Sequence, residues 1–198
     1  MSFTRADRAI INDMSPAVRA DFEFGNNLFS AAAQIIGPHL IKPAPMQLDC
    51  ANGTDFVVLH ADGVNIAYRA RKHHQLKPQY RNEFTIRTER RPANNPSVRL
   101  PTELGKAIAG KVQLSFYGFA NADNTGFDCW HLIDLRELTA EIARPNTYAR
   151  KLATDPGLWI SNPDGLTKFA AFDIRKLPAD VVIASTETTN EERNHVTH

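Results

Sequence analysis

The chain has 198 residues, of which 42% are hydrophobic and 23% charged, and this size and composition are typical of one globular domain. A formal net charge of +1 gives the protein no general attraction to nucleic acid, and no apolar run approaches the roughly 20 residues that span a bilayer. Two cysteines, Cys50 and Cys129, are too few for a disulfide framework, and the polar start shows no signal peptide. We therefore expect a cytoplasmic protein without a membrane partner, with a single domain over residues 1–184 and a disordered tail over 185–198.

The first predicted element is an amphipathic helix that begins at Ser15-Pro16 and ends at Gly37-Pro38. Serine is a favoured N-cap, and proline is favoured in the first helical turn. The apolar residues that follow recur at steps of three, four and seven, which places them on one face of a helix. Gly25 and Asn26 are expected to divide this helix into two pieces, and Glu23 lies within it.

Three strand-like runs come next, and polar or turn residues bound each of them. They are residues 55–59, 66–71 and 84–89. The turn Ala61-Asp62-Gly63 predicts a hairpin between the first two runs. We expect the second and third runs to be neighbours in one sheet.

The rest of the chain predicts further helices and hairpins, with residues 145–156 irregular. The predicted elements are a helix over 101–110, a hairpin of 112–119 with 129–135, a helix over 136–144 capped by Asp134, and a hairpin of 158–160 with 168–174. The whole pattern predicts an α/β domain in which helices flank a central mixed sheet.

A basic cluster on the second and third strands is the strongest chemical signal. From Arg69 to Arg91 there are eight Lys or Arg residues and two acids. Because strand side chains alternate between faces, Arg69 and Arg71 share one face, and Arg87 lies on the polar face of the next strand. The planar guanidinium donates two hydrogen bonds to a phosphate, so Arg69, Arg71, Lys72 and Arg87 are predicted nucleic-acid contacts. The alternative is a solvated, salt-bridged sheet face.

The order of these elements, with Glu23 on the first helix and Asp55 opening the first strand, resembles the restriction-endonuclease-like superfamily, the PD-(D/E)XK nucleases. In that family a helix carboxylate, a strand aspartate and a Glu/Gln-x-Lys sequence on the next strand bind a divalent metal and position the attacking water. The resemblance implies a restriction-endonuclease-like fold and a magnesium ion held by Glu23 and Asp55. It also implies a catalytic set of Glu23, Asp55 and Arg69. Phosphodiester hydrolysis needs such a hard cation to neutralise the charge that develops on oxygen.

The chain departs from the family pattern at its decisive position, where Ala67-Tyr68-Arg69 stands in place of Glu/Gln-x-Lys. Ala67 offers no side-chain oxygen to a metal, and Arg69 does not give up a proton as a lysine can. Thr54 stands where the motif has proline, and Glu89 is a candidate replacement for the missing carboxylate. The resemblance therefore fits either an active nuclease or an inactive relative that binds DNA or RNA.

Two other functions fit the same residues. The fold could be a rigid scaffold for a protein partner, such as an inhibitor from a mobile genetic element, or it could bind a small phosphorylated ligand such as a nucleotide. The sequence contains no GxSxG, P-loop or GxGxxG motif, which argues against common hydrolases and dinucleotide binders. It also lacks CxxC and HExxH spacing for zinc, and Cys129 is predicted to be a small core residue.

Overall fold

The computed structural model of the chain describes residues 15–43, 56–58 and 64–186. Over these ranges the protein has an α/β fold with a mixed four-stranded sheet, an antiparallel three-stranded sheet and a two-stranded pair. The helices are α1 (Pro16–Asn27), α2 (Phe29–Ile36), α3 (Glu103–Ile108), α4 (Leu135–Ala143) and α5 (Tyr148–Thr154). The strands are β1 (Ile41–Pro43), β2 (Phe56–Val58), β3 (Ile66–Arg71), β4 (Glu83–Arg90), β5 (Leu114–Ala120), β6 (Phe127–Asp134), β7 (Ile160–Ser161), β8 (Thr167–Asp173) and β9 (Val182–Ser185).

The four-stranded sheet has the order β3-β5-β6-β9, and the three-stranded sheet has the order β4-β8-β7. β3 runs parallel to β5, with Arg69 opposite Tyr117, whereas β5, β6 and β9 pair antiparallel. In the three-stranded sheet, β4 pairs antiparallel with β8, and Arg87 lies opposite Phe169. β3 is thus an edge strand of its sheet, and β4 is an edge strand of the other.

The predicted pairing of the second and third strands is wrong, because β3 and β4 belong to different sheets. A parallel pair such as β3 and β5 needs a long crossover, and here β4 and α3 lie within that crossover. The predicted hairpin across Ala61-Asp62-Gly63 is also wrong, because β2 pairs with β1, with Ile41 opposite Val58. Asp55 and the turn itself lie outside the described residues.

Three predicted helices are confirmed, and a capping side chain is seen at the start of two of them. The first helix begins at Pro16 and is divided at Leu28, close to the expected break. Thr102 caps α3, since its hydroxyl accepts a hydrogen bond from the backbone N–H of Gly105 at 3.1 Å. Asp134 caps α4 by accepting from the backbone N–H of Arg136 at 2.8 Å. The β5–β6 and β7–β8 hairpins are also present.

α5 was not expected, because residues 145–156 were predicted to be irregular. Its N-cap is Thr147, whose hydroxyl accepts from the N–H of Arg150 at 3.1 Å. The buried face of this helix consists of Ala149 and Ala153. Two alanines carry little apolar periodicity, so the sequence pattern did not distinguish this short helix from a loop.

Two hydrophobic cores pack on opposite faces of the four-stranded sheet. One core lies between this sheet, the three-stranded sheet and α3, α4 and α5, and the other lies beneath α2. Every residue of β5 is buried, because Tyr117 and Phe119 point into the first core while Leu114 and Phe116 point into the second.

The fold continues past the predicted domain end at residue 184. Ser185 is fully buried, and the backbone N–H of Trp130 donates to the hydroxyl of Thr186 at 2.8 Å. These contacts extend the described fold through Thr186. Within the described ranges, no helix combines the length and the apolar character needed to cross a membrane.

His131 is a fully buried titratable residue on β6, where its ring stacks on Tyr117 and its Nε2 lies 3.9 Å from the Sγ of Cys129. Burial lowers the pKa of His131 to about 4, although a hydrogen bond with the backbone of Arg81 acts in the opposite direction. At neutral pH the ring is therefore neutral in the folded protein.

We predict that the free energy of unfolding decreases as the pH is lowered from 6.5 to about 4. In this range the histidine of the unfolded chain takes up a proton, whereas the buried His131 of the folded protein does not. The shift corresponds to roughly 3 kcal/mol of unfolding free energy. Urea unfolding at several pH values should show this slope, and a His131→Leu variant should show a smaller one. His39, whose pKa burial also lowers, is unchanged in that variant, so the difference reports His131. Equal slopes in both proteins would contradict the assignment.

Candidate anion-binding site

Arg69, Arg71 and Arg87 meet in a pocket of about 320 Å³. Arg69 and Arg71 extend from one face of β3, and Arg87 reaches the same place from β4 in the other sheet. The residues that line this arginine pocket are Asp21, Phe24, Arg69, Ala70, Arg71, Lys72, Gln75, Arg87, Asn162 and Phe169. All four predicted nucleic-acid contacts therefore line one pocket, although their convergence depends on two sheets rather than on neighbouring strands.

The ring of Phe169 orients two of the guanidinium groups. The Cζ atom of Arg69 lies 5.3 Å from the ring centroid and that of Arg87 lies 5.7 Å from it. Both distances are within the range of a cation–π contact. Since Phe169 itself is buried on β8, it gives the two mobile arginine side chains a fixed apolar surface.

The carboxylate of Glu103, in the first turn of α3, joins the two sheets. Its Oε1 accepts from Nη2 of Arg69 at 2.5 Å and lies 3.8 Å from Nη2 of Arg87. Its Oε2 accepts from the backbone N–H of Arg87 at 3.1 Å. One carboxylate therefore compensates two partly buried guanidinium groups, and the cluster keeps an excess of positive charge.

Three guanidinium N–H groups of the arginines that line the pocket are buried and lack a hydrogen-bond partner among the described residues. They are at Nη1 of Arg69, Nε of Arg71 and Nε of Arg87. Burial lowers the pKa of Arg69, and the charges of Arg71 and Arg87 lower it further, whereas Glu103 raises it. Unpaired buried donors on charged groups are costly. An anion in the pocket would supply negative charge beside these groups.

Arg71 belongs to a hydrogen-bonded chain with two hydroxyl groups. Its Nη2 donates to Oγ1 of Thr85 at 3.3 Å, and that hydroxyl in turn donates to the hydroxyl of Tyr117 at 3.2 Å. The Cζ of Arg71 lies 5.6 Å from the centroid of the Tyr117 ring. These neutral contacts hold Arg71 in place without neutralising its charge.

Lys72 and Asp21 form the rim of the pocket where α1 approaches β3. Nζ of Lys72 lies 3.5 Å from Oδ1 of Asp21 and 5.9 Å from the ring centroid of Phe24. Both charged side chains are well exposed, so this ion pair is weak and open to exchange with a ligand.

The predicted magnesium site of Glu23 and Asp55 stays a prediction, because the structure describes only one of the two residues. Glu23 is exposed and does not line the pocket, because Asp21 and Phe24 occupy the face of α1 that is turned toward it. Asp55 lies outside the described residues. Those residues contain no group of three or more His, Cys, Asp or Glu that could hold a metal ion.

Glu89 does not replace the missing carboxylate. It is buried at the far end of β4, where it accepts from Nε of Arg91 at 3.0 Å. Nη2 of Arg99 lies 3.8 Å from its Oε2, and Nζ of Lys168 lies 3.9 Å from its Oε1. Its charge is already compensated by three cations, and it lines neither the arginine pocket nor the space around Glu103.

Sequence reasoning missed Glu103, Phe169 and Asp21 as members of the site. Glu103 carried only the signal of an acid in a first helical turn, and Phe169 only that of an apolar strand residue. Their importance arises from contacts between elements that are distant in sequence, so no local pattern marks them.

Comparisons of the chain with protein-family models, with curated proteins and with solved structures found no match. The chemistry of the pocket is therefore the basis for a function.

We predict that Glu103→Gln lowers the unfolding free energy by about 1–3 kcal/mol, because Arg69 and Arg87 lose the carboxylate between them. Inorganic phosphate at millimolar concentration should restore part of this loss by occupying the pocket. Chemical unfolding with and without phosphate measures both effects. Glu137→Gln on α4, outside the pocket, is the control and should change stability by less than about 0.5 kcal/mol. A loss that phosphate does not reduce would argue against an anion site.

Proposed function

We propose that the protein binds a phosphate-bearing ligand in the arginine pocket, and that a nucleic acid or nucleotide supplies the phosphate. The observation that carries this proposal is that Arg69, Arg71 and Arg87 line one pocket, and that each has a buried guanidinium N–H without an acceptor among the described residues. Phosphate oxygens accept several such hydrogen bonds at once, and arginine is well suited to this geometry.

The charges around the pocket support an anionic ligand. Four cations, those of Arg69, Arg71, Lys72 and Arg87, outnumber three carboxylates, those of Glu103, Asp21 and Glu83, the last of which interacts with Arg71. The overall charge of the protein is only +1, so this excess is local. A local positive pocket attracts a charged ligand and gives its binding a strong dependence on ionic strength.

The restriction-endonuclease-like fold belongs to the same proposal. It is supported by a mixed sheet flanked by helices, with Ala67-Tyr68-Arg69 on an edge strand beside α1. Binding is supported better than hydrolysis. Ala67 supplies no carboxylate, and Arg69 is engaged with Glu103 rather than free to act on water.

We predict that Arg71→Gln weakens binding of phosphate-bearing ligands at least about tenfold, because it removes one cation without leaving Glu103 unpaired. Fluorescence anisotropy with labelled single-stranded DNA, duplex DNA and RNA, together with titration of nucleotides, measures the affinity. Arg144→Gln, which removes an exposed arginine on the far side of α4, is the matched control and should bind as the wild type does.

Replacing both Arg69 and Arg87 by glutamine should abolish binding. Glu103→Gln belongs in the same variant, because otherwise an uncompensated carboxylate would destabilise the fold. Affinity should also fall steeply as salt increases, and the slope should be shallower for Arg71→Gln. Equal affinity of wild type and Arg71→Gln for every ligand would refute the proposed role of the pocket.

We predict that plasmid and single-stranded DNA stay intact when the protein is incubated with Mg²⁺ or Mn²⁺. The reason is that the strand position of the family's metal-binding carboxylate is Ala67. Gel electrophoresis of the DNA over time is the measurement, with an Asp55→Ala variant in parallel. If the wild type cleaves DNA and the Asp55→Ala variant does not, this prediction is wrong. That result would support the catalytic set of Glu23, Asp55 and Arg69.

A further inference from the structure

A second pocket of about 470 Å³ lies next to the arginine pocket. The two pockets adjoin, because Arg71, Gln75, Asn162 and Phe169 belong to the walls of both, and we call the two together the cleft. We call the second one the aromatic pocket, because its apolar wall consists of Tyr80, Tyr117, Phe119, Ile160 and Phe169. A ligand bound at the arginines therefore has aromatic and aliphatic surface beside it.

The aromatic pocket contains apolar surface that the fold leaves uncovered. Ile160 on β7 is 49% exposed, and Tyr80, in the turn before β4, is half-buried. Nζ of Lys77 lies 6.0 Å from the ring centroid of Tyr80, so a cation is already held over this ring. When a flat apolar group of a ligand covers an exposed apolar side chain, apolar surface is removed from water, and this favours binding.

From this arrangement we propose that the ligand carries a flat ring in addition to its phosphate, and that it is a mononucleotide or a compound of the same plan. The phosphate lies among Arg69, Arg71 and Arg87, and the ring lies against Tyr80 and Ile160. This inference rests on the proposed phosphate-binding function and extends it by naming the ligand class.

The shape of the cleft favours a single small ligand over a polymer. Arg69, Arg71 and Arg87 line one pocket of about 320 Å³, which suits one terminal phosphate group, whereas a nucleic-acid backbone needs cations spaced along an open groove. The volumes of the two pockets are each in the range of small-molecule sites, roughly 300–1,000 Å³. Inorganic phosphate alone would leave the apolar wall exposed.

Three ligands separate the contributions of the phosphate, the sugar and the flat ring to binding. Isothermal titration calorimetry with the full chain measures the affinity for each of them. They are inorganic phosphate, ribose 5-phosphate and adenosine 5′-monophosphate. The wild type should bind adenosine 5′-monophosphate about tenfold more tightly than ribose 5-phosphate, because only the nucleotide carries the flat adenine ring. Ile160→Ala should bring the ratio of the affinities for the nucleotide and for ribose 5-phosphate close to one, while the affinity for ribose 5-phosphate itself stays unchanged.

Ile160 is exposed, so its replacement should leave the fold intact, and Tyr80→Leu provides a second variant of the same wall. Ile108→Ala, which removes an exposed isoleucine on α3 that lines neither pocket, is the matched control. Equal binding of nucleotide and ribose 5-phosphate by the wild type would overturn the inference and leave the phosphate site standing. Affinity that rises with oligonucleotide length beyond one nucleotide would also overturn it. Failure of all three ligands to bind would instead reject the proposed function itself.

Discussion

The contact on which the site depends is the one between the carboxylate of Glu103 and the guanidinium groups of Arg69 and Arg87. These residues come from a helix and from two different sheets, so the contact exists only when the sheets are packed together. Without the carboxylate, two desolvated cations would face each other near Phe169 with little to offset their repulsion. With the carboxylate of Glu103 in place, the two guanidinium groups are held together and the cluster keeps a net positive charge.

That excess distinguishes the arginine pocket from an ordinary salt-bridged surface. Glu89 provides the contrast, because Arg91, Arg99 and Lys168 surround its single buried carboxylate at the other end of β4. There the cations have a carboxylate as their common partner, and all three of them are partly exposed to water. In the arginine pocket three N–H donors are buried with no acceptor among the described residues. Because structural ion-pair networks usually satisfy their donors, these three donors support the proposed anion site.

Short-range features of the sequence predicted much of the fold. Ser15-Pro16 marked the start of the first helix, Asp134 marked that of α4, and alternation marked β5 and its hairpin partner β6. Each of these signals depends on residues within one turn or one hairpin of each other. The errors concern long-range pairing. β3 and β4 are close in sequence but lie in different sheets, and β2 pairs with a strand on its N-terminal side.

The sequence by itself determined that Arg69 and Arg71 share a face of one strand and that Arg87 lies on the polar face of another, because the pleat of a strand allows no other arrangement. It also placed alanine where a metal-binding carboxylate would stand. Only the tertiary structure decided that these arginines meet, and it did so by packing β3 against the β4–β8 pair across Phe169 and Glu103. It also placed Asp21, rather than Glu23, beside the pocket, because the rotation of α1 on β3 is fixed by packing against the sheet and not by local pattern.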